Sequence, residues 1–179
     1  AKTAIDNATT NDAVTQAKNV GTTSVDSVNP DGLAKSEAKK SIEDALKAKN
    51  DEIDARTDLT DEEKTAAKSE AKAKADTAKE AIDKATTNAA VDQSKSTGTT
   101  EVKAVKPDAV AKTAAKGAID EALKAKSAEI DSRADLTDEE KTAAKAEAKA
   151  KADEAKEAID NATTNAAVEQ SKSTGTTEV

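Results

Sequence analysis

The sequence predicts an all-α protein: tandem three-helix bundles forming an elongated rod. Three observations predict it. The stretch Asn7-Ala-Thr-Thr-Asn-Asp-Ala-Val14 returns at 84–91 and at 161–168, 77 residues apart each time, and Leu59-Thr-Asp-Glu-Glu-Lys returns from Leu136 at the same interval. A fixed period is the signature of a repeat architecture. The chain has only 10 Val, 7 Ile and 5 Leu in 179 residues and no Phe, Tyr, Trp or Met. Such a composition on its own leads toward disorder. Here, however, the remaining apolar residues are nearly all Ala, set among Lys and Glu, and these are strong helix formers. Finally, the apolar positions recur at steps of three and four, with no alternating run that would suggest a strand. The period divides the chain into 1–9, the end of a preceding helix; 10–87 and 88–164, two full repeats; and 165–179, the start of a third.

Each repeat reads as helices B, C and A in that order. Thr10 and Asn11, with Thr87 and Asn88 one repeat on, are the N-cap candidates for helix B. Its stripe is Val14, Ala17, Gly21, Val25 and Val28. Gly21 and Gly98 lie mid-stripe, where a helix loses stability but a second backbone can come close. Asn29-Pro30-Asp31-Gly32 has turn chemistry, with Pro107 at the matching place in Lys106-Pro107-Asp108-Ala109. Helix C follows, with Leu33, Ala38, Ile42, Ala45, Leu46 and Ile53 on one side. Lys49 and Lys126 interrupt that side and are expected to lay their stems along it with the ammonium in water. Thr60 with Glu63, and Thr137 with Glu140, have capping-box spacing and open helix A. The face of helix A is Ala67, Ala71, Ala75, Ala78, Ile82 and Ala85, mostly alanine, which calls for close helix approach.

An odd number of helices per repeat cannot all be joined as hairpins if the rod is to advance. The expectation from helix lengths is that B–C and C–A reverse and that the Thr-Thr-Asn junction from A to B runs on. Val102, Val110 and Ile159 would then share one layer, Gly98, Ala115 and Ala155 the next, and Val91, Leu123 and Ala148 another. The advance would be roughly 30 Å per repeat at about 1.5 Å per helical residue. Comparing 4–76 with 81–153 leaves 50 of 73 positions identical, which suggests that repeat number and length matter more than unique side chains.

The chemistry is sparse. The 28 basic and 36 acidic residues are interleaved to a net −8, so there is no basic face for nucleic acid and no basic amphipathic stretch for an anionic membrane. No run approaches the roughly 20 apolar residues of a membrane helix. Without His, Cys or Tyr, the familiar nucleophile–base pairs cannot be assembled, so no enzyme and no cofactor is expected. Asp61, Glu62 and Glu63 suggest a cation site only faintly beside their capping role. Asp26, Asn29 and Asp31 resemble a calcium loop that the next repeat abolishes with Lys103 and Lys106. The sequons at Asn7 and Asn161 carry little weight. No initiator Met or signal peptide is present, and the chain reads as a segment of a longer polypeptide.

The set Ala-Ile-Asp-Asn-Ala-Thr-Thr-Asn, Asn-Pro-Asp-Gly-Leu-Ala-Lys, Ala-Leu-Lys-Ala-Lys-Asn-Asp-Glu-Ile-Asp and Leu-Thr-Asp-Glu-Glu-Lys resembles a known family across the whole chain. These are the domain-of-unknown-function helical repeats, of the 1542 type, that tile the stalks of giant wall-anchored surface proteins of Gram-positive bacteria. The second copy departs from the pattern where Lys106 and Ala109 replace Asn and Gly. The resemblance implies an exported, cell-wall-anchored protein and an all-helical repeat. Two function classes follow. In one the repeats are a stalk or spacer that touches only neighbouring repeats and projects an adhesive region from the wall. In the other they bind a host extracellular matrix protein, or like repeats on another cell in a biofilm. Interfaces usually need a buried aromatic or Arg anchor. With no aromatic residue and only Arg56 and Arg133, the spacer is favoured.

Overall fold

Alanine-rich segments punctuated by Thr caps fold as the composition requires. The structure, a computed structural model, describes residues 1–28 and 32–179. The described residues form helices and no strand: α1 (Lys2–Asp6), α2 (Asn11–Asp26), α3 (Leu33–Ala55), α4 (Asp61–Lys84), α5 (Asn88–Lys103), α6 (Val110–Ser132), α7 (Asp138–Asn161) and α8 (Asn165–Glu178). Asn29, Pro30 and Asp31, and with them the turn and calcium-loop readings placed there, lie outside the described residues. The chain divides into two units, Ala1–Ser36 and Glu37–Val179.

In the first unit α1 packs on α2, and Gly21 is buried against Ala1. Val14, Val25 and Val28 of the α2 stripe stay exposed in this unit, as does Val20 beside it.

The second unit holds two bundles. In the first, Ala38, Ile42 and Ala45 of α3, Ala75, Ala78 and Ile82 of α4, and Val91 and Val102 of α5 form one buried cluster. The second repeats it with Ala115 and Ile119 of α6, Ala152, Ala155 and Ile159 of α7, and Val168 of α8. A fully buried isoleucine or valine contributes roughly 1.5–3 kcal/mol, so a few large residues surrounded by alanine suffice for a slender core. Three ion pairs bind helix C to helix A: Lys39–Asp83, Lys79–Glu43 and Lys68–Asp54 in one bundle, with Lys116–Asp160, Lys156–Asp120 and Lys145–Asp131 as their counterparts. Their crossed order shows that α3 and α4 run antiparallel, as the short Leu-Thr-Asp-Glu link predicts.

The expected run-on from A to B is overturned. Helices α4 and α5 pack side by side, as do α7 and α8. Ala85 (φ −65°, ψ 134°) and Thr87 (φ −131°, ψ 154°) are extended, so the chain turns back at Thr86-Thr87. The segment that runs on is the B–C link, 104–109, and each bundle is C–A–B rather than B–C–A. The expected layers fall with the junction. Val102 is fully buried in the first bundle, Ile159 is buried in the second, and Val110 is 64% exposed. Gly98 meets Ala78 and Ile42, and Gly175 meets Ala155 and Ile119. Leu33 is 59% exposed, too early in its helix to reach the core. Lys49 is buried at 5% exposure with its ammonium 2.8 Å from Glu52, instead of reaching open water.

Candidate functional site: the joint between two bundles

The polar groups of this chain converge at one place, where the C–A turn of the first bundle meets the second. Val102 ends the α5 stripe and Val105 tucks beneath the first bundle beside Ile53, Leu59, Ala67 and Ala71. Pro107 has no N–H and restricts the residue before it, so the helix cannot continue through the link. Ala109 packs against the same cluster as Val105. The link therefore delivers the first turn of α6 to the first turn of α4.

There Glu63 serves two helices. Thr60 Oγ1 accepts from Glu63 N at 3.3 Å and Glu63 Oε2 accepts from Thr60 N at 3.0 Å, a complete capping box on α4. The other oxygen, Oε1, accepts from Val110 N and Ala111 N, both at 2.9 Å. Helix α6 needs this, because its N-cap is Ala109 and no side chain of its own caps it. Amides left unpaired at a helix start must find an acceptor, and a carboxylate there also meets the positive end of the helix dipole. Burial opposes ionisation of Glu63, but the amides of Ala111, Thr60 and Val110 outweigh it and hold its pKa below the ordinary glutamate value.

Five further hydrogen bonds lock the joint. Lys112, 4% exposed, donates from Nζ to Thr57 O of the first bundle and to Asp160 O of the second, each at 2.8 Å. Thr60, with no exposed surface, donates its hydroxyl to Asn165 Oδ1 at 2.7 Å. Asp61 N donates to Thr163 O at 2.7 Å and Asn165 N to Glu62 Oε2 at 3.0 Å. Beside the turn, Arg56 donates to both carboxylate oxygens of Asp58 and lowers its pKa.

The remaining cap and turn positions are simpler. Thr10, Thr87 and Thr164 cap the B helices by accepting from Ala13, Ala90 and Ala167, while Asn11 and Asn88 are the first helical residues. Thr137 and Glu140 form the capping box of α7, on an exposed surface. Pro107 is half-buried in the link. Lys112 and Asn165 were not singled out by sequence, and Glu62 was singled out only within the acidic trio at the start of helix A, not as a partner of Asn165. A signal was available for Lys112: Lys occupies the third position of helix C in both copies, Lys35 and Lys112. Among the described residues no group of three acidic side chains is placed to hold a metal ion, and no helix is long and apolar enough to cross a membrane.

Near-identical three-helix bundles joined through a built polar joint define a tandem all-α repeat segment. The chain belongs to the family Domain of Unknown Function (DUF1542), whose model matches residues 34–110 and 111–179. Both matches begin one residue into a C helix, in phase with the bundles. The chain is 32% identical over 170 residues to the extracellular matrix-binding protein ebh of Staphylococcus aureus strain USA300 / TCH1516, covering 94% of this chain and 2% of that protein. It is 32% identical over 168 residues to the extracellular matrix-binding protein EbhA of strain Newman, covering 94% of this chain and 5% of that protein. The chain thus spans a small fraction of these relatives. No solved structure matches.

Proposed function

We propose that these repeats are stalk segments of an extracellular, cell-wall-anchored surface protein, and that they space an adhesive region away from the wall. The observation that carries this reading is the joint. Its hydrogen bonds are spent on holding one bundle to the next, and the chain supplies no aromatic side chain to anchor a partner. A bundle whose longest helix has 24 residues is about 36 Å long at about 1.5 Å per residue. Arrays of two, four and six repeats, measured by small-angle scattering, are expected to lengthen by about one such helix per repeat. No increment with repeat number would sink the stalk.

The similarity to extracellular matrix-binding proteins favours a second reading, in which the repeats themselves bind a host matrix protein or like repeats on another cell in a biofilm. Titration of two- and four-repeat arrays against immobilised matrix proteins, with a self-association measurement by sedimentation, separates the two. The stalk reading expects no saturable binding in either.

A further inference from the structure

We propose that the far end of the second bundle, Ala134 to Glu140, is a docking face for another bundle of this same repeat, and that Glu140 fixes it in place. The inference rests on the stalk reading, in that it concerns how an array continues. The argument comes from two copies of one surface, one covered and one bare.

The covered copy is the joint built on Thr57 to Glu63. Leu59, Thr60, Asp61, Glu62 and Glu63 recur without change as Leu136, Thr137, Asp138, Glu139 and Glu140. Thr57 is replaced by Ala134, but its part in the joint is played by a backbone carbonyl, which any residue supplies. The chemistry of the socket is therefore complete in the second copy. Its state differs as an empty socket should. Thr60 and Leu59 are buried, whereas Thr137 is exposed and Leu136 is only half-buried. The Thr60 hydroxyl donates to Asn165 across the joint, but the Thr137 hydroxyl donates back to its own Glu140 Oε2 at 3.1 Å. Glu140 spends Oε2 on Thr137, and no hydrogen bond reaches its Oε1 among the described residues, whereas Glu63 Oε1 caps α6.

The occupant is specified by what the covered socket holds. It presents a helix start that lacks a side-chain cap, a lysine at the third helical position, and a Thr-Thr-Asn turn offering a carbonyl, an amide and an asparagine side chain. The charges agree: Asp138, Glu139 and Glu140 face a helix N-terminus and a lysine. Only another C–A–B bundle of this repeat carries all of these at once. Thr86, Thr87 and Asn88 give the first bundle the same turn.

The test uses the 179-residue chain and a longer one. Because Val179 stands 77 residues after Val102, appending residues 103–179 to Val179 adds one bundle in register. Hydrogen exchange is followed at the first two amides of each C helix following a joint. In the 179-residue chain, Glu63→Ala should speed exchange at Val110 and Ala111 by about tenfold or more, while Glu140→Ala should leave them unchanged. In the longer chain, Glu140→Ala should speed the corresponding amides of the appended C helix by a similar factor. Glu140→Gln keeps one acceptor without the charge, and it should give a smaller increase in a chain with unaltered helix content. Appended amides that exchange no faster in Glu140→Ala than in the parent overturn the docking face. So does a Thr137 that remains solvent-exposed in the longer chain. Matrix binding by the repeats would defeat the spacer reading and leave this result standing.

Discussion

Gly98 of α5 lies against Ala78 of α4 so closely that a methyl group at position 98 would overlap the Ala78 Cβ and come 2.8 Å from Ile42 Cδ1. Gly175 stands in the same relation to Ala155 and Ile119. The missing side chain is what allows helix B to lie on helix A at all, and an isoleucine from helix C fills the space over the contact.

Gly98→Ala should therefore destabilise the first bundle by about 1–3 kcal/mol, the usual range for overpacking a tight contact, despite the better helix propensity of alanine. Gly117, in the exposed middle of α6, has nothing within 4 Å of where its Cβ would stand. Gly117→Ala should stabilise by roughly 0.5–1 kcal/mol. Urea unfolding of the two variants gives opposite shifts in midpoint if the contact is as described. Equal shifts would show that position 98 is not a packing site.

The two capping boxes provide a second comparison. Thr137→Ala removes an exposed cap and should cost about 1 kcal/mol. Thr60→Ala removes the same cap and also the bond from the buried Thr60 hydroxyl to Asn165 Oδ1, which water can reach on the exposed Asn165, so it should cost about 0.5–1.5 kcal/mol more. Thermal melts of the single variants test this, and equal losses would mean that the bond across the joint contributes nothing.

Helix class, cap residues and the antiparallel C–A pair were legible because each is local. Periodicity gives the helices, Thr-x-x-Glu gives the box, and a short link gives the hairpin. The A–B reversal was not legible from helix lengths. Thr-Thr-Asn suits both a short break and a hairpin, and the decision is made by Gly98 finding Ala78, a tertiary contact. The partner of Glu63 was hidden for a related reason. One carboxylate oxygen satisfies the local box that sequence can show. The other caps a helix 47 residues away whose own N-cap is an alanine.

Lys112 ties carbonyl groups of two bundles together with one ammonium. Lys112→Met keeps most of the buried stem but leaves the Thr57 and Asp160 carbonyls unpaired. The expected cost is about 1–3 kcal/mol, with faster exchange at Val110 and Ala111 as the joint loosens. Lys126→Met, at a half-exposed lysine paired with Glu129 on its own helix, should change stability by less than about 0.5 kcal/mol. A Lys112→Met variant as stable as Lys126→Met would show that the buried ammonium does not hold the joint.

Acid should loosen the joint and the turns together. Glu63 and Glu140 are held below the ordinary glutamate value, Glu140 by the amide and then the hydroxyl of Thr137. Asp58 is lowered by its bond from Arg56, and Asp135 is lowered to about 2 by its bond from Arg133. All four groups bind protons less tightly in the folded chain than in the unfolded one. Their stabilising effect is therefore fully present above the ordinary carboxylate range of about 4 and is lost as pH falls through the folded-state values. Stability should be level from neutral pH to about 5 and decline from there toward pH 2. Glu63→Gln should flatten part of that decline, and after correction for intrinsic exchange rates the amides of Val110 and Ala111 should open over the same interval. Asp135→Asn should remove the portion of the decline nearest pH 2 and leave those two amides unaffected, because Asp135 lies at the far turn. Urea midpoints recorded from pH 7 to pH 2 read the first effect, and exchange at the two amides reads the second. A stability that rises on acidification, or amides at 110 and 111 indifferent to pH, would show that the Glu63 carboxylate is not the acceptor that holds the second bundle to the first.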